Sequence, residues 1–315
     1  MVQMKIVTAI ALGLFGLNAF AQGCEGSSAA AGAAAQMSGP GIEYQTEIVR
    51  NITPSVPEYV VFAEDTIRFD TPEKYERMDR ELITFSYMHS TSTLMLKRSE
   101  KIFTVVEPIL KEMGIPDDLK YLMVIESNLD PKALSTAKAA GLWQFMKATA
   151  VQYGLECNEY VDERYHIEKA TRAACKLLKA TYSKYHDWMT VAATYNAGPG
   201  NISKRMADQR QKSAFKLWMP EETMRYMYRI MACKMLFADP ESFGFKVTEH
   251  YPYRAPKKIV EVSDAEVNLV DLAEKNGVTY SELKQANYWL RDSKIINKSG
   301  KTYQVAIPDC SKLER

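Results

Sequence analysis

The chain has 315 residues, 46% hydrophobic and 25% charged, enough for one large domain with a sizeable core and a smaller second one. Its 40 Lys and Arg are balanced by 39 Asp and Glu. That balance argues against nucleic acid, or an anionic membrane surface, as a partner held by bulk charge; a polymer would have to be recognised in a groove.

The first 21 residues read as an export leader. Lys5 is the positive start, Ile6 to Phe20 is an apolar run too short to span a bilayer comfortably, and Ala19-Phe20-Ala21 is a small-x-small cleavage pattern before Gln22. A membrane anchor is one alternative. A lipid anchor on Cys24 is another, although Ala21-Gln22-Gly23 lacks the usual aliphatic residue three places before the cysteine. Removing the leader takes away one lysine and no acid, leaving 39 charges of each sign. Export predicts a periplasmic or cell-envelope location, with peripheral envelope association open. The five cysteines, Cys24, Cys157, Cys175, Cys233 and Cys310, show no repeating spacing, so no pairing follows. No CxxC and no His/Cys cluster has metal spacing, so neither metal nor cofactor is expected, and a monomer is expected.

Residues 22–42, rich in Ala, Gly and Ser, read as a flexible tether; residues 43–75 carry no dominant period, and the tether with its N-terminal segment is taken to reach residue 70. From Pro72 to Phe237 the pattern is helical almost throughout. Ile102, Val105, Val106, Ile109, Leu110 and Met113 follow i, i+3, i+4, i+7, and Gly114 stops that helix. Pro116, Asp117 and Asp118 start the next, with acids at its positive end, and Asn128-Leu129-Asp130-Pro131 ends it. Further helices are predicted over 168–185, 188–195 and 221–237. After the Pro-rich linker Tyr251 to Pro256, strand-like Ile259 to Val262, two helix-like segments (Leu269 to Ala273 and Tyr280 to Asn287) and strand-like Tyr303 to Ile307 predict a βααβ unit.

Leu119, Leu122 and Met123 lead, at the same helical spacing, to Glu126. A carboxyl on the buried stripe of a helix loses water, which raises its pKa. An acid still protonated near neutrality can give its proton to a leaving oxygen. A core glutamate satisfied by a hydrogen bond fits the same periodicity. Two other segments bear on the choice. Gly141 to Met146 combines an aromatic, an amide and a thioether. Thr194-Tyr195-Asn196-Ala197-Gly198-Pro199-Gly200 puts a tyrosine at the mouth of a glycine-lined turn. Aromatic faces and amides suit sugar rings.

Four ordered motifs carry a resemblance: Glu126-Ser127; Ala140 to Met146; Ala193-Thr194-Tyr195-Asn196-Ala197-Gly198; and Glu222-Thr223 with Tyr226. Together they resemble the lytic transglycosylases with the goose-type lysozyme fold. Val161 to Tyr165 and Asp187-Trp188 point, within it, to the membrane-bound murein transglycosylase D group. The resemblance implies a mainly α fold, with a lysozyme-like helical catalytic domain over 71–250. It implies Glu126 as the single acid/base. Ser135 matches the serine that contacts the acid or the scissile oxygen. Gln144 and Met146 match residues lining the cleft, and Tyr195 and Asn196 the pair orienting acid and sugar. Glu222 and Tyr226 match the motif that closes the cleft from a later helix. Ser127 reads as local structure, since no histidine base is placed for it. Lys138 stands where the family often has glycine, and Thr194 where it often has alanine or serine.

The unit over 257–310 is similar to LysM, a small α+β module that binds N-acetylglucosamine-containing glycans. Asn276-Gly277-Val278-Thr279, Glu282-Leu283, Gln285-Ala286-Asn287 and Val305-Ala306-Ile307-Pro308 match; Ser263-Asp264-Ala265-Glu266 departs from its usual Gly-Asp pair. A purely structural remnant is the alternative. The implied partner is the glycan strand of peptidoglycan, cleaved between N-acetylmuramic acid and N-acetylglucosamine to leave a 1,6-anhydro end. A hydrolytic lysozyme on the same fold, and a non-catalytic peptidoglycan-binding protein, are the competing readings.

Overall fold

The structure, a computed structural model, describes residues 52–310. The expected leader, its cleavage point, Cys24 and the tether over 22–42 lie outside them. Among the described residues no helix is long and apolar enough to cross a membrane, and the four cysteines present there are unpaired.

The packed unit begins earlier than the expected boundary at residue 71. Strands β1 (Tyr59–Phe62) and β2 (Asp65–Arg68) form an antiparallel hairpin. Its turn is Ala63-Glu64, both with positive φ. Val60 and Phe62 alternate inward and join the main core together with Phe69. Asp118 Oδ2 fastens this hairpin, accepting from Ala63 N–H at 2.8 Å and from Lys234 Nζ at 2.8 Å. The acid expected to favour a helix start is thus also a tertiary tie.

Eight helices follow: α1 (Pro72–Tyr87), α2 (His89–Glu112), α3 (Lys120–Ser127), α4 (Lys147–Gln152), α5 (Ile167–Tyr185), α6 (Trp188–Ala197), α7 (Pro199–Gln209) and α8 (Glu221–Ala238). Thr71 caps α1 through Lys74 N–H, with Pro72 in the first turn. α2 ends as its periodicity predicts: Gly114 takes φ +62°, and Ile115 N–H returns to Leu110 O. α8 packs on α1, α3 and α6, while α5 packs on α2 and α6. Its register is held by charge as well as by apolar packing. Fully buried Glu81 accepts from Arg225 Nε at 2.7 Å, and Glu221 receives Arg77 and Arg80.

The C-terminal unit contains the expected βααβ elements: β3 (Lys258–Val262), α9 (Leu269–Lys275), α10 (Tyr280–Ala286) and β6 (Tyr303–Ile307). β3 and β6 pair antiparallel with Val260 opposite Val305. Two further short strands, β4 (Glu266–Asn268) and β5 (Lys294–Ile296), pair beside them. Thr279 and Glu282 form a capping box at α10. Buried Asn287 joins the end of α10 to β6, exchanging hydrogen bonds with both polar groups of the Ala306 backbone.

This unit does not hang on its linker. Ala140, Val161 and Tyr165 of the helical domain belong to its apolar cluster, alongside Trp289, Leu290 and Tyr303. Asp162 N–H donates to Trp289 O at 2.9 Å, and Arg291 N–H to Tyr160 O at 2.8 Å. Tyr303 OH and Lys301 Nζ both reach Glu156, each at 3.0 Å. Arg291 lies over the Tyr165 ring at 4.3 Å. The two domains therefore melt together: calorimetry should give one transition. Leu290→Asp, which buries an unpaired charge at a position 1% exposed, should cost about 3 kcal/mol and split the transition in two.

Candidate active site

The acid sits where the helix pattern puts it. Tyr121 to Val124 of α3 are buried, and Glu126 follows on the side facing α8. Asn128 and Leu129 both take left-handed φ, near +51° and +54°, and end the helix within two residues of the acid. Ser127 Oγ donates to Met123 O at 2.9 Å, a bond internal to the helix.

Glu126 keeps a narrow opening to solvent but is otherwise enclosed. Burial pushes its carboxyl up to about 7; a hydrogen bond from Tyr226 pulls the other way, and the charge of Glu222 adds to the rise. Tyr226 OH donates to Glu126 Oε1 at 2.8 Å from α8. Tyr195, at the end of α6, donates its OH to Trp143 O at 2.6 Å. Burial and the neighbouring Glu126 hold both phenols well above the ordinary tyrosine range, so they remain neutral donors. Three of the expected residues, Glu126, Tyr195 and Tyr226, thus form one cluster, and Glu222 acts on it through space from an exposed position.

Ser135, Gln144 and Met146 belong to the loop beside that cluster. Ser135 Oγ accepts from Ala139 N–H at 3.0 Å, rather than touching the carboxyl, and its own proton stays free to donate. Gln144 has φ +47° and turns its amide nitrogen onto Gly141 O at 2.8 Å and Ala133 O at 3.3 Å. Its amide oxygen is the group left for a ligand. Met146 is 40% exposed ahead of α4, and Asn196 is half-buried on α6. Trp143 is fully buried with Nε1 bonded to Thr171 Oγ1 at 3.0 Å, so this aromatic is core.

What holds the loop was not among the expected site residues. Arg164 donates to Lys138 O at 2.7 Å and Phe145 O at 3.1 Å, while Asp162 takes its other face at 2.9 and 2.7 Å. Gly141 lies so close that a Cβ would come within 1.9 Å of Arg164 O, which no side chain permits. Lys138 has φ +66°, a conformation that glycine adopts without strain. Thr194 Oγ1 is buried with no hydrogen-bond partner among the described residues. The Asp162-Glu163-Arg164 run was the available signal, but its meaning depends on the carbonyls it meets. No group of His, Cys, Asp or Glu able to hold a metal ion occurs among the described residues.

Residues 105–218 match the family described as Transglycosylase SLT domain, and residues 258–311 the Soluble lytic transglycosylase C-terminal LysM-like domain. The chain carries an SLT domain followed by a LysM-like domain. The SLT match includes Glu126, Ser135, Gln144, Met146, Tyr195 and Asn196; Glu222 and Tyr226 lie just beyond it. The chain is 26% identical over 255 residues to membrane-bound lytic murein transglycosylase D of Escherichia coli K12, covering 78% of this chain and 55% of that protein. It thus spans about half the length of that relative. Peptidoglycan transglycosylase gp16 of Escherichia phage T7 is 31% identical over 132 residues, 41% of this chain and 10% of the phage protein. Among solved structures, the 70 kDa soluble lytic transglycosylase of Escherichia coli aligns at 18% identity over 56% of this chain and 33% of its own, with a TM-score of 0.39.

Two measurements on stability check the SLT-domain site without any substrate. Because the Glu126 carboxyl is raised from 4.5 to about 7, the folded state binds more protons than the unfolded state between those values. Glu126 therefore lowers stability progressively as pH rises through that window, with the full cost above about 7. Glu126→Gln should then stabilise the fold by about 1–3 kcal/mol at pH 8 and by much less at pH 4.5, read from thermal melts at both values. Arg164→Met leaves Asp162 buried without its partner and should cost about 3 kcal/mol in urea unfolding. Adding Asp162→Asn should recover part of that loss.

Proposed function

We propose that this protein is a peptidoglycan lytic transglycosylase acting in cell-wall turnover or remodelling, with Glu126 as its acid and then its base. The observation that carries the reading is a carboxyl raised to about 7, enclosed by the fold and held by a neutral phenol. Such a group is protonated in a substantial fraction of molecules at neutral pH. The SLT match and the named activities of the relatives support the same chemistry.

In the proposed mechanism Glu126 gives its proton to the oxygen between N-acetylmuramic acid and N-acetylglucosamine. As that bond breaks, positive charge develops at C1 of the muramyl residue, and the carbonyl of its 2-acetamido group stabilises it. The carboxylate left on Glu126 takes the proton of the muramyl 6-hydroxyl. That oxygen closes on C1 to give a 1,6-anhydro end, and no water is consumed. Glycosidases with two carboxyls divide these roles between a pair of residues; here the substrate supplies the second group.

The other site residues fit this scheme. Tyr226 positions the carboxyl and stabilises its ionised form after proton transfer. Tyr195 braces the Trp143 backbone, and so the loop bearing Gln144. The Ser135 hydroxyl, the Gln144 amide oxygen, Met146 and Asn196 contact the sugars, and Glu222 lies at the cleft edge. The chain works as a monomer in the periplasm or attached to the cell envelope. Its LysM-like unit holds glycan strands and keeps the enzyme on an insoluble polymer.

Digestion of purified peptidoglycan, with the muropeptides weighed, tests this. Anhydro-ended products, lighter by one water than lysozyme products, are expected, with release lost in Glu126→Gln. Reducing ends would make the protein a hydrolase. No release from the wild type would remove both enzymatic readings. Activity should fall as pH rises past about 7, where Glu126 loses its proton. Tyr226→Phe, which removes the bond favouring the ionised form, should move that limb to higher pH while lowering the rate.

A further inference from the structure

Of the large apolar side chains exposed on the described surface, the indole of Trp218 is the most open, at 71%. Its neighbours Leu217 and Met219 are each only 3% exposed, so the backbone is anchored on both sides while the indole faces out. The anchoring is specific. Gln209, the last residue of α7, accepts from Trp218 N–H at 2.8 Å and donates its amide to Trp218 O at 2.8 Å, closing a ring with both backbone polar groups of one residue. Arg205 adds a third bond to the same carbonyl at 3.3 Å. An exposed side chain needs no such support for the fold alone. The arrangement fixes the backbone from which a large flat apolar face projects, with an amide and a guanidinium beside it.

Its place in the chain links it to the residues around Glu126. α7 is capped by Gly198, two residues past Asn196, and ends at the Gln209 clamp. α8 begins three residues after Trp218 and carries Glu222 and Tyr226 back to the acid. Both elements that leave the Tyr195–Tyr226 cluster on this side therefore converge on Trp218. α7 has eleven residues, roughly 16 Å at helical rise, and the clamp that holds Trp218 is at its far end from Asn196.

We propose that Trp218 is the stacking platform of a remote subsite for a sugar ring of the bound glycan strand, well outside the scissile linkage; this rests on the glycan-cleaving reading above. A pyranose ring presents an apolar face ringed by hydroxyls and an acetamido group. An indole with adjacent Gln209 and Arg205 matches both parts. The apolar neighbours Ala214, Leu217 and Met219 are buried, and the segment also carries Lys212, Lys216, Glu221 and Glu222. Between Val151 and Tyr251 Trp218 is the one large apolar side chain exposed among the described residues.

The other three tryptophans, Trp143, Trp188 and Trp289, are 0%, 7% and 4% exposed, so acrylamide quenching of the fluorescence reads Trp218. In the full chain bearing Glu126→Gln, chitohexaose should protect the fluorescence from acrylamide, while chitobiose, too short to span the distance, should not. Adding Trp218→Ala should weaken chitohexaose binding by calorimetry about tenfold, and Trp218→Phe by less than about threefold. Unchanged quenching with chitohexaose bound, equal affinity in the alanine variant, or no binding at all would each overturn the proposal. So would a blue shift on phosphatidylglycerol vesicles with no response to chitohexaose, which would make Trp218 a membrane contact. Protection without any peptidoglycan cleavage by the wild type would retire the enzymatic reading and keep the subsite. Cleavage of sacculi with the same kcat/KM in Trp218→Ala would do the reverse.

Discussion

The hydrogen bond from Tyr226 to Glu126, 2.8 Å long across one hundred residues of sequence, exists only if α8 crosses α3 in one register. Much of the helical domain bears on that crossing. Glu81 meets Arg225 next to the tyrosine, Glu221 meets two arginines at the start of α8, and Lys234 meets Asp118 further along. Ion pairs with a buried member contribute little net stability, because desolvation offsets attraction. What they do supply is position. A slip of α8 by one residue would turn Tyr226 about 100° away from the acid and break these pairings together.

The same enclosure that places the carboxyl also sets its chemistry. Removing water raises its proton affinity, and the single phenol limits the rise by favouring the ionised form. The balance leaves the carboxyl near 7, where both its protonated and its ionised forms are populated at neutral pH. Strain close by has a structural cause: two left-handed residues end α3 immediately after the acid, and Gln144 and Lys138 are left-handed in the facing loop.

The LysM-like domain is part of this support. Residues 156–166 carry its docking bonds on one side, through Glu156, Tyr160, Val161 and Asp162. On the other side Arg164 reaches into the loop that bears Gln144. Asp162 does both: its backbone N–H donates to Trp289 O of the LysM-like domain, and its carboxylate accepts from Arg164. The docking bonds of the LysM-like domain and the loop that bears Gln144 are therefore tied together through one short stretch of chain.

Helices α2, α3, α5, α6 and α8 were readable from the chain because their apolar residues are spaced three to four apart and the ends of α2 and α3 are marked by Gly114 and Asn128. The β1–β2 hairpin was not, although Val60 and Phe62 alternate. Its strands have four residues each and its turn is Ala-Glu, without the Asn or Gly that signals a two-residue turn. α7 was hidden behind Gly198-Pro199-Gly200, which reads as a turn but serves as the cap and first turn of a helix.

By itself the sequence determined the helical class, the βααβ tail and the place of Glu126 near the end of a helix, since each rests on local pattern. Tertiary structure alone decided that Tyr226 is the acid's partner, that Trp143 is core, and that Arg164 ties the loop. It also decided that Trp218 stands exposed. Those outcomes depend on contacts between residues far apart in the chain, and a side chain's pKa, burial and hydrogen-bond partners exist only once those contacts form.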